Sequence, residues 1–302
     1  MRIAIDLGGT NVRVAAVTPE GRFARILSEP CLASGSETEV LEQLYRIIDD
    51  LFTPEVDGIG IGVPSVVDTG RGIVYNVVGI PSWKEVHLKD LLEARYHVKV
   101  SVDNDCNCFA LGVTRFGKGG PHKEAFCVTL GTGVGGSLVV DGHLYRGRNA
   151  GAGEIGSIPY LDKDYEYYCS SRFFTGKGTS GKDVAVAAAS GEPWALEIME
   201  EFGGHIGRLV QMIMYAYDPA VIIFGGSIAK AFSLFSEPMW RVIKEFPYPK
   251  SVENLDLYST DLDNPGILGA ALLCGTSNCH SERSEESRSE ESRSEESRSE
   301  GS

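Results

Sequence analysis

A strand that ends in a carboxylate, turns over two glycines and returns as a strand opens this chain: Ile3-Ala4-Ile5-Asp6-Leu7-Gly8-Gly9-Thr10-Asn11-Val12-Arg13. The glycines free the backbone to turn sharply and aim N–H groups at phosphate oxygens, and Thr10 and Asn11 add polar donors there. Asp6, at the strand end, suits a hydrated Mg²⁺ that offsets phosphate charge. Taken alone, a Gly-Gly hairpin is as much an ordinary turn as a ligand cradle. The same design recurs downstream, where Ala125 to Leu130 reads as a strand, Gly131 to Gly136 as a tight loop and Ser137 to Val140 as the returning strand. Gly131-Thr132-Gly133-Val134-Gly135-Gly136 has the spacing of a dinucleotide fingerprint, but that fold needs a helix to begin at the last glycines. Here an apolar β-type run follows, closed by an Asp141-Gly142 turn. Two glycine hairpins in one chain fit two jaws on one polyphosphate.

The elements around these hairpins describe an α/β protein. Val40, Leu41, Leu44, Ile47, Ile48 and Leu51 recur at helical spacing between Thr38 and Phe52, which predicts a helix covering a sheet. Ile59, Ile61 and Val63 alternate with Gly58, Gly60 and Gly62, a strand whose bare face lets something approach closely. Val98 to Val102 reads as a strand running into Asn104-Asp105, with a helix over Ala110 to Phe116. A long amphipathic helix carries Leu196, Met199, Phe202, Ile206, Leu209, Val210, Ile213 and Met214; Val221 to Phe224 is a buried strand before Gly225-Gly226. Asp256 to Ser259 is a further strand, and Ile267 to Cys274 a closing helix. At 302 residues there is room for two related lobes with a ligand cleft between them: residues 1–114, completed by 262–275, and residues 115–261.

The formal net charge of -14 argues against a sequence-independent grip on nucleic acid, which needs a basic patch. Part of that charge lies in residues 276–302, where Arg-Ser-Glu-Glu-Ser repeats; this segment offers nothing apolar to bury after Cys279 and is expected to be disordered. No apolar run approaches the roughly 20 residues of a membrane helix, and Asp6 interrupts any leader-like stretch, so a cytoplasmic protein without membrane contact is expected. Seven cysteines without framework spacing read as reduced thiols, mostly in the core.

Three polar residues stand out as chemistry. In Val100-Ser101-Val102-Asp103-Asn104-Asp105-Cys106-Asn107, Asp105 sits where a strand stops and a helix starts. That position suits a helix cap; it equally suits a general base taking a hydroxyl proton during phosphoryl transfer. Asn104 offers a donor and an acceptor to a second hydroxyl. Glu154, inside Gly151-Ala152-Gly153-Glu154-Ile155-Gly156, is either a solvated loop acid or a carboxylate contact for a polyol.

Together these segments resemble the ROK family of sugar kinases and repressors, within the acetate and sugar kinase, Hsp70 and actin superfamily. The resemblance covers roughly residues 1–275 and rests on DLGGTN at Asp6 to Asn11, GVPSVVD at Gly62 to Asp68, IPSW at Ile80 to Trp83, NDCN at Asn104 to Asn107, LGTGVGG at Leu130 to Gly136 and GAGEIG at Gly151 to Gly156. It implies two actin-like, ribonuclease H-like lobes, ATP and Mg²⁺ in the cleft, and phosphorylation of the 6-hydroxyl of a hexose, glucose first, or of an N-acetylhexosamine. By this resemblance Asp105 is the catalytic base, and Asn104, Glu154, Pro64 and Ser65 bind sugar. Asp6, Gly8, Gly9, Thr10, Asn11, Gly131, Thr132 and Gly133 serve the phosphates, with Gly225 and Gly226 on the adenosine side. A homodimer is implied too. Family repressors carry a winged helix before the first phosphate loop, whereas two residues precede Ile3 here, so a sugar-responsive repressor or a non-catalytic sensor is the lesser alternative.

Three positions depart from the family pattern. Ser157 stands where a zinc-binding His is usual and Leu161 to Tyr168 holds no cysteine, so no zinc site is expected; packing of Tyr160, Tyr165, Tyr167 and Tyr168 is expected to replace it. Glu166, in Glu166-x-Tyr168-x-Ser170, matches the second glutamate segment and is assigned as a sugar contact by the resemblance. Gly79 replaces the Asn that usually precedes Ile-Pro-Ser-Trp. Loss of that hydrogen-bonding group costs on the order of 0.5 to 1.5 kcal/mol, and restoring Asn at position 79 is expected to lower the sugar KM.

Overall fold

The computed structural model describes residues 1–120 and 122–275. The expectation of a disordered tail over 276–302 lies outside the described residues. Two five-stranded sheets of one topology organise the chain. The first contains β1 (Arg2–Leu7), β2 (Asn11–Val17), β3 (Phe23–Pro30), β4 (Gly58–Val63) and, after a small sheet of β5 (Val66–Asp68), β6 (Ile73–Tyr75) and β7 (Glu85–Val86), β8 (Lys99–Asn104). Its order is β3-β2-β1-β4-β8, with β2 and β3 antiparallel and β1, β4 and β8 parallel. The second sheet repeats this with β9 (Ala125–Leu130), β10 (Val134–Val140) and β11 (His143–Tyr145), then β14 (Val221–Gly225) and β15 (Asp256–Ser259), in the order β11-β10-β9-β14-β15. A short hairpin, β12 (Pro159–Tyr160) with β13 (Lys163–Asp164), lies between them in sequence. Each glycine hairpin therefore joins the central strand of a sheet to its antiparallel neighbour.

Helix α1 (Glu37–Asp49) starts at a Ser36–Glu39 capping box that satisfies two orphan donors. It seats the fully buried Leu44, Ile47 and Ile48 against Ile3, Ile5 and Leu7 of β1, with α2 (Leu88–Tyr96) on the same face. Each such side chain contributes about 1.5–3 kcal/mol. The opposite face of β4 is bare, and the element that approaches it is α10 (Pro265–Leu273): a Cβ on Gly60 would lie 1.8 Å from the Ala270 carbonyl oxygen. Helix α3 (Asp105–Phe116) is wedged between the two sheets. Its Cys108 faces β4 and α10, while Phe109, Ala110 and Val113 pack on Ala125, Cys127 and Ile223 of the second sheet.

The second half is covered by α4 (Tyr165–Cys169), α5 (Ser171–Gly176), α6 (Gly181–Ala189), α7 (Pro193–Tyr217), α8 (Phe232–Ile243) and α9 (Pro249–Glu253), around a core that includes Phe126, Phe174, Phe202, Phe224 and Phe235. No helix among the described residues is long and apolar enough to cross a membrane.

Candidate active site

The strand–helix junction at residues 103–107 is the centre of the site. Asn104, and not Asp105, caps α3: its Oδ1 accepts from the N–H groups of Cys106 (2.8 Å) and Asn107 (3.4 Å), and its amide donates to the Ser65 carbonyl (3.2 Å). One amide N–H of Asn104 is left for a hydroxyl. The helix consequently begins at Asp105, five residues earlier than the apolar spacing predicts. Asp105 occupies the first helical position, where its Oδ1 accepts from the Cys106 N–H (2.9 Å). Burial, and then the nearby charge of Asp6, push its carboxyl up to about 6 against the pull of that hydrogen bond.

Both glycine hairpins border this junction. In the first, the Gly8 N–H donates to the Asn11 carbonyl (3.0 Å), leaving Thr10 and Asn11 exposed at the tip. Asp6 at its base pairs with Arg13, which also donates to Asn264 Oδ1 (3.1 Å). That pair occupies Asp6 Oδ2; among the described residues Oδ1 has no hydrogen-bond partner. A carboxylate oxygen of this kind fits a hydrated Mg²⁺ held mainly by nucleotide phosphates.

In the second hairpin the Gly131 N–H donates to the Gly133 carbonyl (3.0 Å), and Thr132 is exposed. Cys106 joins this hairpin to the junction, its Sγ lying 3.1 Å from Thr129 Oγ1 and so close to Gly135 that a Cβ there would stand 2.1 Å away. The turn after β14 abuts the same loop. Gly226 has φ +89°, and a Cβ on it would lie 2.3 Å from the Leu130 carbonyl oxygen; Gly225 packs as closely on the Phe109 ring.

Ser65 is buried, with its hydroxyl donating to the carbonyls of Tyr75 and Val66, and the Pro64 carbonyl accepts from the Val78 N–H (3.0 Å). Pro64 thus holds the 76–79 loop through its backbone carbonyl, while Ser65 ties Tyr75 through its hydroxyl and Asn104 through its carbonyl. Glu154 is exposed and makes no cap bond in its loop, and its charge reaches the Cys106 thiol next to Asp105. The carboxylate of Glu166 lies over the second hairpin: Oε2 accepts from the Val134 N–H (3.4 Å), and Oε1 pairs with Arg172 at 2.9 Å.

Gly79 lies against the first hairpin, a contact its sequence does not disclose. It adopts φ +84°, and a Cβ on it would stand 3.0 Å from Gly9 Cα. A side chain there requires the first glycine hairpin to give by a few tenths of an ångström.

Where a zinc staple is usual, Tyr160 stacks on Tyr165 with centroids 4.3 Å apart, Tyr168 meets Tyr160 edge-on at 5.4 Å, and Tyr167 meets Tyr168. His205 of α7 joins the cluster, its Nδ1 lying 3.1 Å from the Tyr160 hydroxyl. Among the described residues no three His, Cys, Asp or Glu side chains are grouped to hold a metal.

Sequence reasoning passed over the charged partners: Arg13 on Asp6, Arg172 on Glu166, and Arg146 on Asp103. The latter two pairs lack a local spacing rule that would reveal them. Arg13 is the exception, because hairpin register places it directly opposite Asp6.

The ROK family model matches residues 2–277. A glucokinase from Thermotoga maritima is 28% identical over 89% of this chain and 95% of its own length. An N-acetyl-D-glucosamine kinase from Vibrio cholerae is 27% identical over 90% and 99%. The crystal structure of a ROK family glucokinase from Streptomyces griseus in complex with glucose and AMPPNP superimposes with a TM-score of 0.78 at 25% identity, covering 89% of this chain and 97% of that one. With its doubled sheet, paired glycine hairpins and a matching sequence over nearly all described residues, this chain belongs to the ROK family.

Proposed function

We propose that this protein is an ATP-dependent hexose kinase of the glucokinase type, transferring the γ-phosphoryl group of ATP to the 6-hydroxyl of glucose. The observation that carries this reading is Asp105, a recessed carboxylate at a strand–helix junction bordered by both hairpins, with a proton affinity suited to accepting a hydroxyl proton.

As the sugar O6 attacks the γ-phosphorus, Asp105 takes its proton; the new O6–P bond forms while the bond from phosphorus to the β,γ-bridging oxygen breaks and ADP leaves. With the Gly8 and Gly131 N–H groups closing the hairpins on themselves, the other turn N–H groups at Gly9, Thr10, Thr132 and Gly133, with the Thr10 and Thr132 hydroxyls, serve the charge that gathers on the transferring group. Asn104 and Glu154, with Pro64 and Ser65 shaping the wall, orient the sugar, and Gly225 and Gly226 leave room on the adenosine side. Glu166 contacts the sugar only by sharing its carboxylate with Arg172. When bound, Mg²⁺ near Asp6 supplies positive charge to the phosphates. A cytoplasmic homodimer is the setting this reading carries.

The Vibrio cholerae relative, nearly as similar as the glucokinase, favours an N-acetylhexosamine as the second reading. Mg²⁺-ATP-dependent ADP release by the full chain, measured with glucose, mannose, fructose, N-acetylglucosamine and N-acetylmannosamine, separates the two. Preference for glucose is the expected result; preference for an N-acetylated sugar selects the second reading, and no sugar-dependent release refutes both.

A further inference from the structure

Asp103 precedes the proposed base by two residues and is only 2% exposed, yet it is ionisable and stands outside the transfer chemistry. Its Oδ1 accepts from the backbone N–H of Asn104 (2.8 Å) and the amide of Asn107 (2.7 Å). Its Oδ2 accepts from Arg146 Nε (2.8 Å) and forms an ion pair with Nη2 at 2.7 Å. Asn107 in turn accepts from the hydroxyl of Ser137, which is fully buried on β10. Asp103 and Asn107 flank the junction at the end of the first sheet, whereas Arg146 and Ser137 come from the second. Three hydrogen bonds and an ion pair therefore converge on one buried carboxylate, and the Arg146–Asp103 and Ser137–Asn107 contacts tie the two halves together at the residues that carry Asn104 and Asp105.

Arg146 holds a second group as well. Its carbonyl accepts from the Ala152 N–H (3.1 Å), closing the loop that leads to Glu154. The same residue thus grips the base junction with its side chain and the Glu154 loop with its backbone.

We propose that Arg146, acting through Asp103, is a positioning residue that sets the Asn104–Asp105 junction against the Glu154 loop across the boundary between the two halves. The inference rests on the kinase reading above for its catalytic consequence, but not for its structural one. A guanidinium that donates through Nε while pairing Nη2 with the same carboxylate oxygen fixes direction as well as distance, and a buried carboxylate stripped of that partner must find another or take up a proton. Either response turns the backbone at residues 103–105. Displacing a base by about 1 Å is enough to slow transfer by about 100-fold.

The test uses the full chain with Arg146→Met, Arg146→Lys, Asp103→Asn and the double variant Asp103→Asn/Arg146→Met. In the folded Arg146→Met protein kcat is expected to fall roughly 10- to 100-fold, with the KM for ATP changed less than about threefold. Arg146→Lys, which keeps the charge but loses the fork, is expected to recover part of the loss, and the double variant to be no slower than the slower single one. Losses that multiply in the double variant, or a kcat within about twofold of the parent in Arg146→Met, would overturn the proposal. Hydrogen exchange gives a readout independent of turnover: amides of residues 104–107 and 152–155 are expected to exchange faster together in Arg146→Met while those of β1 and α7 do not. Coupled exchange in a chain without sugar-dependent ADP release would refute the kinase reading and leave the positioning pair standing. Unchanged exchange at both segments refutes the pair.

Discussion

Gly9 and Gly79 meet backbone to backbone: a Cβ on Gly9 would lie 2.8 Å from Gly79 Cα, and a Cβ on Gly79 would lie 3.0 Å from Gly9 Cα. The first glycine hairpin and the loop leading into Ile80-Pro81-Ser82-Trp83 are thereby in direct register, with no side chain between them.

Gly79→Asn is expected to damage the enzyme and not to improve it. Asparagine tolerates φ +84° better than most residues, but its Cβ must displace the hairpin by a few tenths of an ångström. The KM for ATP should rise with that for sugar. A lower sugar KM with an unchanged ATP KM, measured by steady-state kinetics, would show that the contact gives way freely.

Asp105 should govern the acid limb of the pH profile. With its carboxyl raised to about 6, kcat/KM should fall as pH drops through that value, because only the ionised form accepts a proton. Asp105→Asn should abolish turnover while sugar binding, followed by calorimetry, persists.

The same shift makes a stability prediction of definite sign. Between its ordinary carboxylate range and about 6, folded Asp105 holds a proton that the unfolded chain has released, so this group lowers stability as pH rises through that window. Asp105→Asn should therefore unfold at higher temperature than the parent at pH 8, by an amount on the order of 1–3 kcal/mol, and show little gain near pH 4. Equal differences at both pH values in thermal melts would contradict the assignment.

Close packing of α10 on β4 sets a steric limit at Gly60. Gly60→Ala places a methyl group 1.8 Å from a backbone oxygen, so it should cost about 3 kcal/mol or more. Gly266→Ala, whose Cβ meets nothing within 4 Å, is the matched control and should be neutral. Denaturant melts compare the two directly.

The tyrosine cluster is expected to stand without zinc. Tyr160→Ala should destabilise the second half by about 2–4 kcal/mol through lost stacking on Tyr165 and the lost contact to His205. Elemental analysis of the purified protein should find no stoichiometric zinc; one zinc per chain would overturn this.

Much of the architecture was legible because burial imposes periodicity. The strands Ala125–Leu130 and Asp256–Ser259 fall where the apolar pattern puts them, and α1 lies within a residue of its predicted start. Elements were misjudged where a polar or bare residue serves a tertiary contact. Strand β10 begins at Val134, three residues before the predicted Ser137, because Gly135 and Gly136 are strand residues stripped of side chains to admit Cys106 and the Gly153 carbonyl. Helix α3 begins at Asp105 because the apolar period is silent over a capped first turn.

The sequence by itself determined the two strand-turn-strand hairpins, the α/β class and the identity of the residues at the glycine turns and the strand–helix junction. These are local matters: glycine's freedom at a turn, the alternation of a strand, and the residue types at consecutive positions. Tertiary structure alone decided which groups those residues face. Asp103 finds Arg146 at a separation of 43 residues, Gly79 comes to rest on Gly9, and Asp105 has Asp6 as its neighbour because β1, β4 and β8 are parallel strands of one sheet. Electrostatics and steric contact depend on distance through space, and no local pattern along the chain encodes that distance.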